Sequence, residues 1–109
     1  MSDLTIKPVV MVDELAKWPH AKGPFRGGAC HLTVDGETPE HLAALHTLAD
    51  RIGLRREWFQ PHRVHPHYDL TPAKRTAAIL AGAVEVDAMT QARARLVRHG
   101  LIVDAEVTP

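Results

Sequence analysis

Residues 30–53 read CHLTVDGETPEHLAALHTLADRIG, and two periods meet inside them. From Cys30 to Asp35 apolar and polar side chains alternate. Cys30, Leu32 and Val34 fall on one face, His31, Thr33 and Asp35 on the other. A period of two is the mark of a strand with one face buried. From Thr38 the period changes. Threonine caps the free N–H groups of a helix start, and Pro39 suits the first helical position because it has no N–H to leave unpaired. Leu42, Leu45, Ala49 and Ile52 then recur on one helical face, and Gly53 supplies the left-handed residue on which a helix ends. A strand followed by a capped amphipathic helix is the unit from which α/β folds are built.

The same grammar recurs downstream. Thr71 and Pro72 open a second helix with Ala73, Ala77 and Leu80 as its stripe and Gly82 as its stop. Asp87 caps a third, which runs through Met89, Ala92 and Leu96 to Gly100. Its last turns carry Arg95, Arg98 and His99, where cations suit the helix dipole. The spacing predicts helices near 39–52, 71–81 and 88–99. Strands are expected at Ile6 to Val12, Cys30 to Asp35, Ala83 to Val86 and Leu101 to Val107, with a weaker one at Arg56 to Gln60. Residues 17–28, rich in Gly and Pro, read as a loop, and residues 60–70 as a second irregular stretch. Alternating strands and helices point to one small α/β domain over residues 1–109. Its expected core is a mainly parallel central sheet of about four to five strands with three helices. Right-handed crossovers would set the first two helices on one face if the strands ran in sequence order.

Composition narrows the function classes. A chain of 109 residues buries enough surface to fold without staples, and its single cysteine, Cys30, forms no internal disulfide. No signal peptide is visible, and no apolar run approaches the roughly 18–20 residues of a membrane span. The expectation is a cytoplasmic protein with no membrane partner. Formal net charge is zero, so a nucleic-acid partner is not expected. Basic residues gather in the second half: residues 51–109 hold nine basic and six acidic side chains, residues 1–50 four and seven. An anionic small molecule would meet that half. Eight histidines are the unusual feature.

The densest polar cluster is His62, His65, His67 and Asp69. Histidine and carboxylate are good ligands for divalent transition metals, and His67 with Asp69 are the metal candidates. His62 and His65 read more simply as solvated loop histidines. Directly after His67, Tyr68 and Asp69 comes the helix start at Thr71. Free N–H groups and a positive dipole end favour an anion there. Lys74 and Arg75 sit in that first turn, where cations oppose the dipole unless they meet an anion or an acidic neighbour; the plainer reading is that Asp69 supplements the cap and Lys74 is solvated. Tyr68, Thr71, Lys74 and Arg75 are therefore candidate ligand-binding residues. His31, on the polar face of its strand, and Asp13, just past an expected strand end, join His67 and Asp69 as catalytic candidates. Cys30 belongs to the apolar face and reads as a small hydrophobe.

Several fragments carry a family resemblance. They are Val12-Asp13, His31 to Asp35, Glu40-His41-Leu42 with Ala49, Gly53 to Phe59, His67-Tyr68-Asp69, and Gly82 to Val86. In this order and spacing the chain resembles the bacterial and phage family catalogued as domain of unknown function 4031. It departs from the family at Ala29, where an aromatic is common, and at Glu14, where a second aspartate is. The resemblance implies no catalytic assignment.

Two functional readings follow. One is a small enzyme acting on a phosphorylated or otherwise anionic small molecule, with a divalent metal as the cofactor to test. Here His31 and His67 would be acid/base groups or ligands, Asp13 and Asp69 would orient them, and Lys74 or Arg75 would neutralise the anion. The other is a non-catalytic assembly module that docks a partner through residues 58–70, Trp58 and Phe59 included. A homo-oligomer is compatible with either.

Overall fold

A computed structural model describes residues 7–102. Among the described residues there are five strands and three α-helices: β1 (Val10–Val12), β2 (Cys30–Val34), α1 (Pro39–Arg51), β3 (Gln60–Pro61), β4 (Pro66–Leu70), α2 (Pro72–Leu80), β5 (Val84–Glu85) and α3 (Ala88–Arg98). The helices begin as the sequence dictates. The Thr38 hydroxyl accepts the His41 N–H at 3.2 Å, Thr71 accepts that of Lys74 at 3.1 Å, and the Asp87 carboxylate accepts that of Thr90 at 2.8 Å. α1 stops at Gly53, which takes φ +85°, a conformation that costs glycine nothing and other residues strain.

The sheet order is β3-β4-β2-β1-β5. Only β1 and β5 pair in parallel; β1 with β2, β2 with β4 and β4 with β3 are antiparallel. The expectation of a mainly parallel sheet is thus wrong, and the reason is local. Each helical crossover does join strands of one direction: α1 links β2 to β3, and α2 links β4 to β5. But neither crossover joins neighbours. β4 lies between β2 and β3, while β2 and β1 lie between β4 and β5. The links β1–β2 and β3–β4 contain no helix and reverse the chain, so opposed strands interleave.

Two further expectations change. Residues 60–70 do not form a loop. They hold β3 and β4, and β4 is an interior strand paired on both sides. The expected strand at Arg56 to Gln60 is a single 3-10 turn, Arg56–Trp58, leading into β3. The expected last strand lies mostly outside the described residues; Leu101 and Ile102 form a bend.

The layers follow from the alternation. Cys30, Leu32 and Val34 of β2 and Tyr68 and Leu70 of β4 pack with Leu45, Leu48 and Ala49 of α1 and Ala78 of α2. The first two helices therefore share one face, as expected, although the strands do not run in sequence order. α3 covers the opposite face, where the Gln91 amide donates to the Thr33 hydroxyl and both side chains are buried. Among the described residues no helix is long and apolar enough to cross a membrane.

Candidate functional site

The register of β2 on β4 builds the site. His31 stands opposite Asp69 and Leu32 opposite Tyr68. Directly opposed residues of an antiparallel pair share a face, and residues two apart on one strand share it too. His31, Asp69 and His67 therefore project from the side of the sheet turned away from α1 and α2. β3 adds Gln60, opposite His67. Asp13 follows the last residue of β1 and lies almost wholly buried beside β2.

Each side chain is held by a definite partner. The Asp13 carboxylate accepts two bonds from one residue: the His31 backbone N–H at 2.7 Å and the His31 Nδ1–H at 2.7 Å. A carboxylate only accepts, so a proton sits on His31 Nδ1, and Nε2 is the nitrogen left for another partner. His67 is fixed the same way. Its Nδ1–H donates to the His65 carbonyl at 2.6 Å, which leaves Nε2, 3.4 Å from Asp69 Oδ1, as the outward nitrogen. Gln60 Nε2 donates to the other Asp69 oxygen at 2.6 Å.

Electrostatics follow this geometry. Burial opposes the charge on Asp13, but the bonds from His31 outweigh it and hold the carboxyl below its ordinary value. Burial likewise opposes charge on Asp69 and His67. Their mutual contact, with Gln60 on one and the His65 carbonyl on the other, prevails: Asp69 moves down and His67 up. His65 goes the other way. Burial first, then the positive field of Arg95 and the neighbouring histidines, pushes it to about 3, so it is neutral at physiological pH. Its ring stacks on His67 with centroids 4.4 Å apart and lies 5.0 Å from His31. Among the described residues its Nε2 is buried without a hydrogen-bond partner, whereas buried polar atoms are nearly always paired. Burial also drives the Cys30 thiol up to about 12, which removes it as a nucleophile.

One ligand atom each from His31, His67 and Asp69 lie within 4.8 Å of one another. Three protein ligands around a zinc-sized ion at bonds of about 2.0–2.2 Å stand roughly 3.5 Å apart, so small side-chain rotations would close the set. Two imidazoles and a carboxylate suit zinc, iron or manganese. The Asp13–His31 bond and the His65 carbonyl on His67 are contacts of the kind that would orient imidazoles about a metal.

The surroundings are aromatic on one side. In the loop between β1 and β2, Trp18 stacks on Phe25 at 5.9 Å and reaches to 6.0 Å from the His31 ring. The loop folds back on itself through paired backbone bonds between Ala16 and Ala29. Beside the centre opens a cavity of about 670 Å³. Pro24, Phe25, Leu54 and Trp58 form its apolar walls, and Asp69, Thr71 and Lys74 also line it.

Asp13, His31, His67 and Asp69, separate in sequence, are brought together. Thr71 and Lys74 flank them across the cavity. The Lys74 ammonium donates to the Ile52 carbonyl at 2.5 Å. Arg75 turns behind the site, its Nε on the Asp13 carbonyl at 2.8 Å and its Nη2 on Glu85 at 3.1 Å. Tyr68 is not at this site. It points into the apolar layer, fully buried, and shares a 2.7 Å hydrogen bond with His46 Nδ1. Sequence reading missed Gln60, His65, Trp18 and Arg95. His65 carried a signal, since it has the same parity as His67 and Asp69. The others become visible only once strand pairing and the placement of α3 are known.

The family described as protein of unknown function (DUF4031) matches residues 10–99, and the chain belongs to that family. The match takes in every strand and helix of the described residues and the whole His/Asp cluster. No curated protein and no solved structure gives a significant match.

Proposed function

We propose that the protein is a divalent-metal-dependent enzyme acting on an anionic small molecule, with His31, His67 and Asp69 as ligands and Asp13 orienting His31. The observation that carries this reading is the convergence of one ring nitrogen from each of two histidines and one carboxylate oxygen within 4.8 Å. In each imidazole Nδ1 is already engaged by a protein partner, which leaves Nε2 as the nitrogen for a metal. Three protein ligands leave further coordination positions for a water or a substrate oxygen, the pattern of catalytic rather than structural sites. Asp69 lies at the border of the cluster and the cavity, so a molecule in the cavity reaches the metal directly. A metal there would also displace the proton that His67 shares with Asp69, and the Asp13 carboxylate beside His31 would help balance its second charge.

Zinc titration with elemental analysis tests the reading on the wild type, on His67→Ala and, as a control in the Gly/Pro-rich loop 17–28, on His20→Ala. The wild type and His20→Ala should each hold one equivalent, and His67→Ala should lose it while keeping its circular dichroism. Equal stoichiometric zinc in the wild type and His67→Ala, or none in the wild type, overturns it.

A further inference from the structure

We infer that the cavity beside the His/Asp centre binds a flat aromatic anion, its ring body against Phe25 and Trp58 and its acidic group at Lys74. The inference deepens the reading of the site as one for an anionic small molecule and rests on it. Three observations carry it. The first is size. A volume of about 670 Å³ falls in the range of pockets that enclose a small organic ligand. The second is the wall. Pro24, Phe25 and Trp58 offer flat surfaces, and Trp58 is 50% exposed, so its indole is not spent on the core. Flat faces select flat partners, because ring stacking adds to area burial.

The third observation is charge. The cavity lining holds one carboxylate, Asp69, and one ammonium, Lys74. Asp69 is matched, with His67 on one oxygen and Gln60 on the other. Among the described residues no carboxylate pairs with Lys74. Its ammonium makes one bond, to Ile52 at the end of α1, out of three donors. Thr71 brings the N-terminus of α2 to the same wall, and a helix start adds positive potential. The uncompensated charge in the cavity is therefore positive, and it sits beside an aromatic wall.

The test uses metal-free wild-type protein, so that its failure leaves the zinc titration standing and the reverse. 2-Naphthoate is titrated by calorimetry, with 2-naphthalenemethanol as the neutral analogue and decanoate as the aliphatic one. 2-Naphthoate should bind at least about ten-fold more tightly than either, the expected worth of one charge-assisted contact or of ring stacking. Lys74→Met should remove that advantage over the alcohol, and Lys74→Arg should restore most of it. Trp58→Ala should weaken both naphthalenes. The inference fails if 2-naphthoate does not bind the wild type at millimolar concentration. It fails equally if the alcohol or decanoate binds as tightly, or if a folded Lys74→Met binds 2-naphthoate like the wild type. The wild-type comparison decides the matter even where a variant does not fold.

Discussion

The two faces of the sheet are made by the same strands and have opposite characters. Under α1 and α2, Cys30, Leu32, Tyr68 and Leu70 are 0–1% exposed, and no charged side chain lies among them. On the other face, one residue away along each strand, stand His31, His67 and Asp69, with Asp13 beside them. The first face is held by area removed from water, the second by directed bonds between charged and polar groups. Packing tolerates little loss of volume but is indifferent to protonation. The polar face is the reverse. Stability and chemistry are therefore separable by substitution even at adjacent positions.

The largest expected effect belongs to the apolar face. Leu32→Ala should cost about 2–5 kcal/mol in denaturant unfolding, because the cavity it leaves is walled by both helices and cannot collapse. A folded fraction of that variant should bind zinc as the wild type does. Loss below about 1 kcal/mol would show that this face is not what holds the fold.

Asp13→Asn probes the polar face. The amide keeps the shape but weakens the hold on the His31 ring. Zinc affinity should fall about 10–100-fold, or about 1.4–2.7 kcal/mol, with the fold retained. Global unfolding of this variant at neutral pH would break the comparison, since the polar face would then be structural.

Thr71→Ala acts where the two regions meet. It removes the cap of α2 and should lower stability by about 1 kcal/mol without changing zinc affinity. A zinc affinity changed as much as that of Asp13→Asn would place Thr71 within the metal site.

The smallest effect concerns α3, which roofs the polar face. The backbone N–H of Thr90, and its hydroxyl, hold the Asp87 carboxyl below its ordinary value. A carboxyl lowered in the folded state adds stability that is fully present above its unfolded pKa of about 3.9. That stability is lost as pH falls through the lower, folded value. Asp87→Asn keeps a capping oxygen and removes the titration. Wild type and variant should differ most above pH about 5 and converge as the acid limit is approached. A difference that grew with acidity would contradict the assignment.

The helices were legible because their ends are written locally. A cap, a proline and a glycine act within a few residues, and all three helices stand where those signals put them. The alternation of β2 was legible for the same reason. β4 was not. Pro61 and Pro66 flank the turn, and three histidines fall within six residues, so the segment has the composition of a loop. Yet Tyr68 and Leu70 alternate with His67 and Asp69 as strictly as the residues of β2. The partner strand, not the local sequence, supplies what makes that pattern a strand. Strand direction was hidden too, because crossover helices specify the sense of the strands they join and not which strand lies between. Asp13, His31, His67 and Asp69 could be named from chemistry and position. That they meet is a matter of register, which depends on residues far apart in the chain.

That register also sets where the chain can change length. A residue added to or removed from the turn at 62–64 shifts nothing in the pairing of β2 with β4. The same change between Tyr68 and Asp69 would rotate everything on one side of it by half a pleat. Asp69 would enter the layer beneath α1 and α2, or Tyr68 would swing out among the imidazoles. Length variants inside β4 should thus be lost twice over, through an ionised group in the apolar layer and through a dismantled His/Asp cluster. Those in the turn should leave both intact. Indel scanning across residues 60–72 would read the boundary between these outcomes to a single residue.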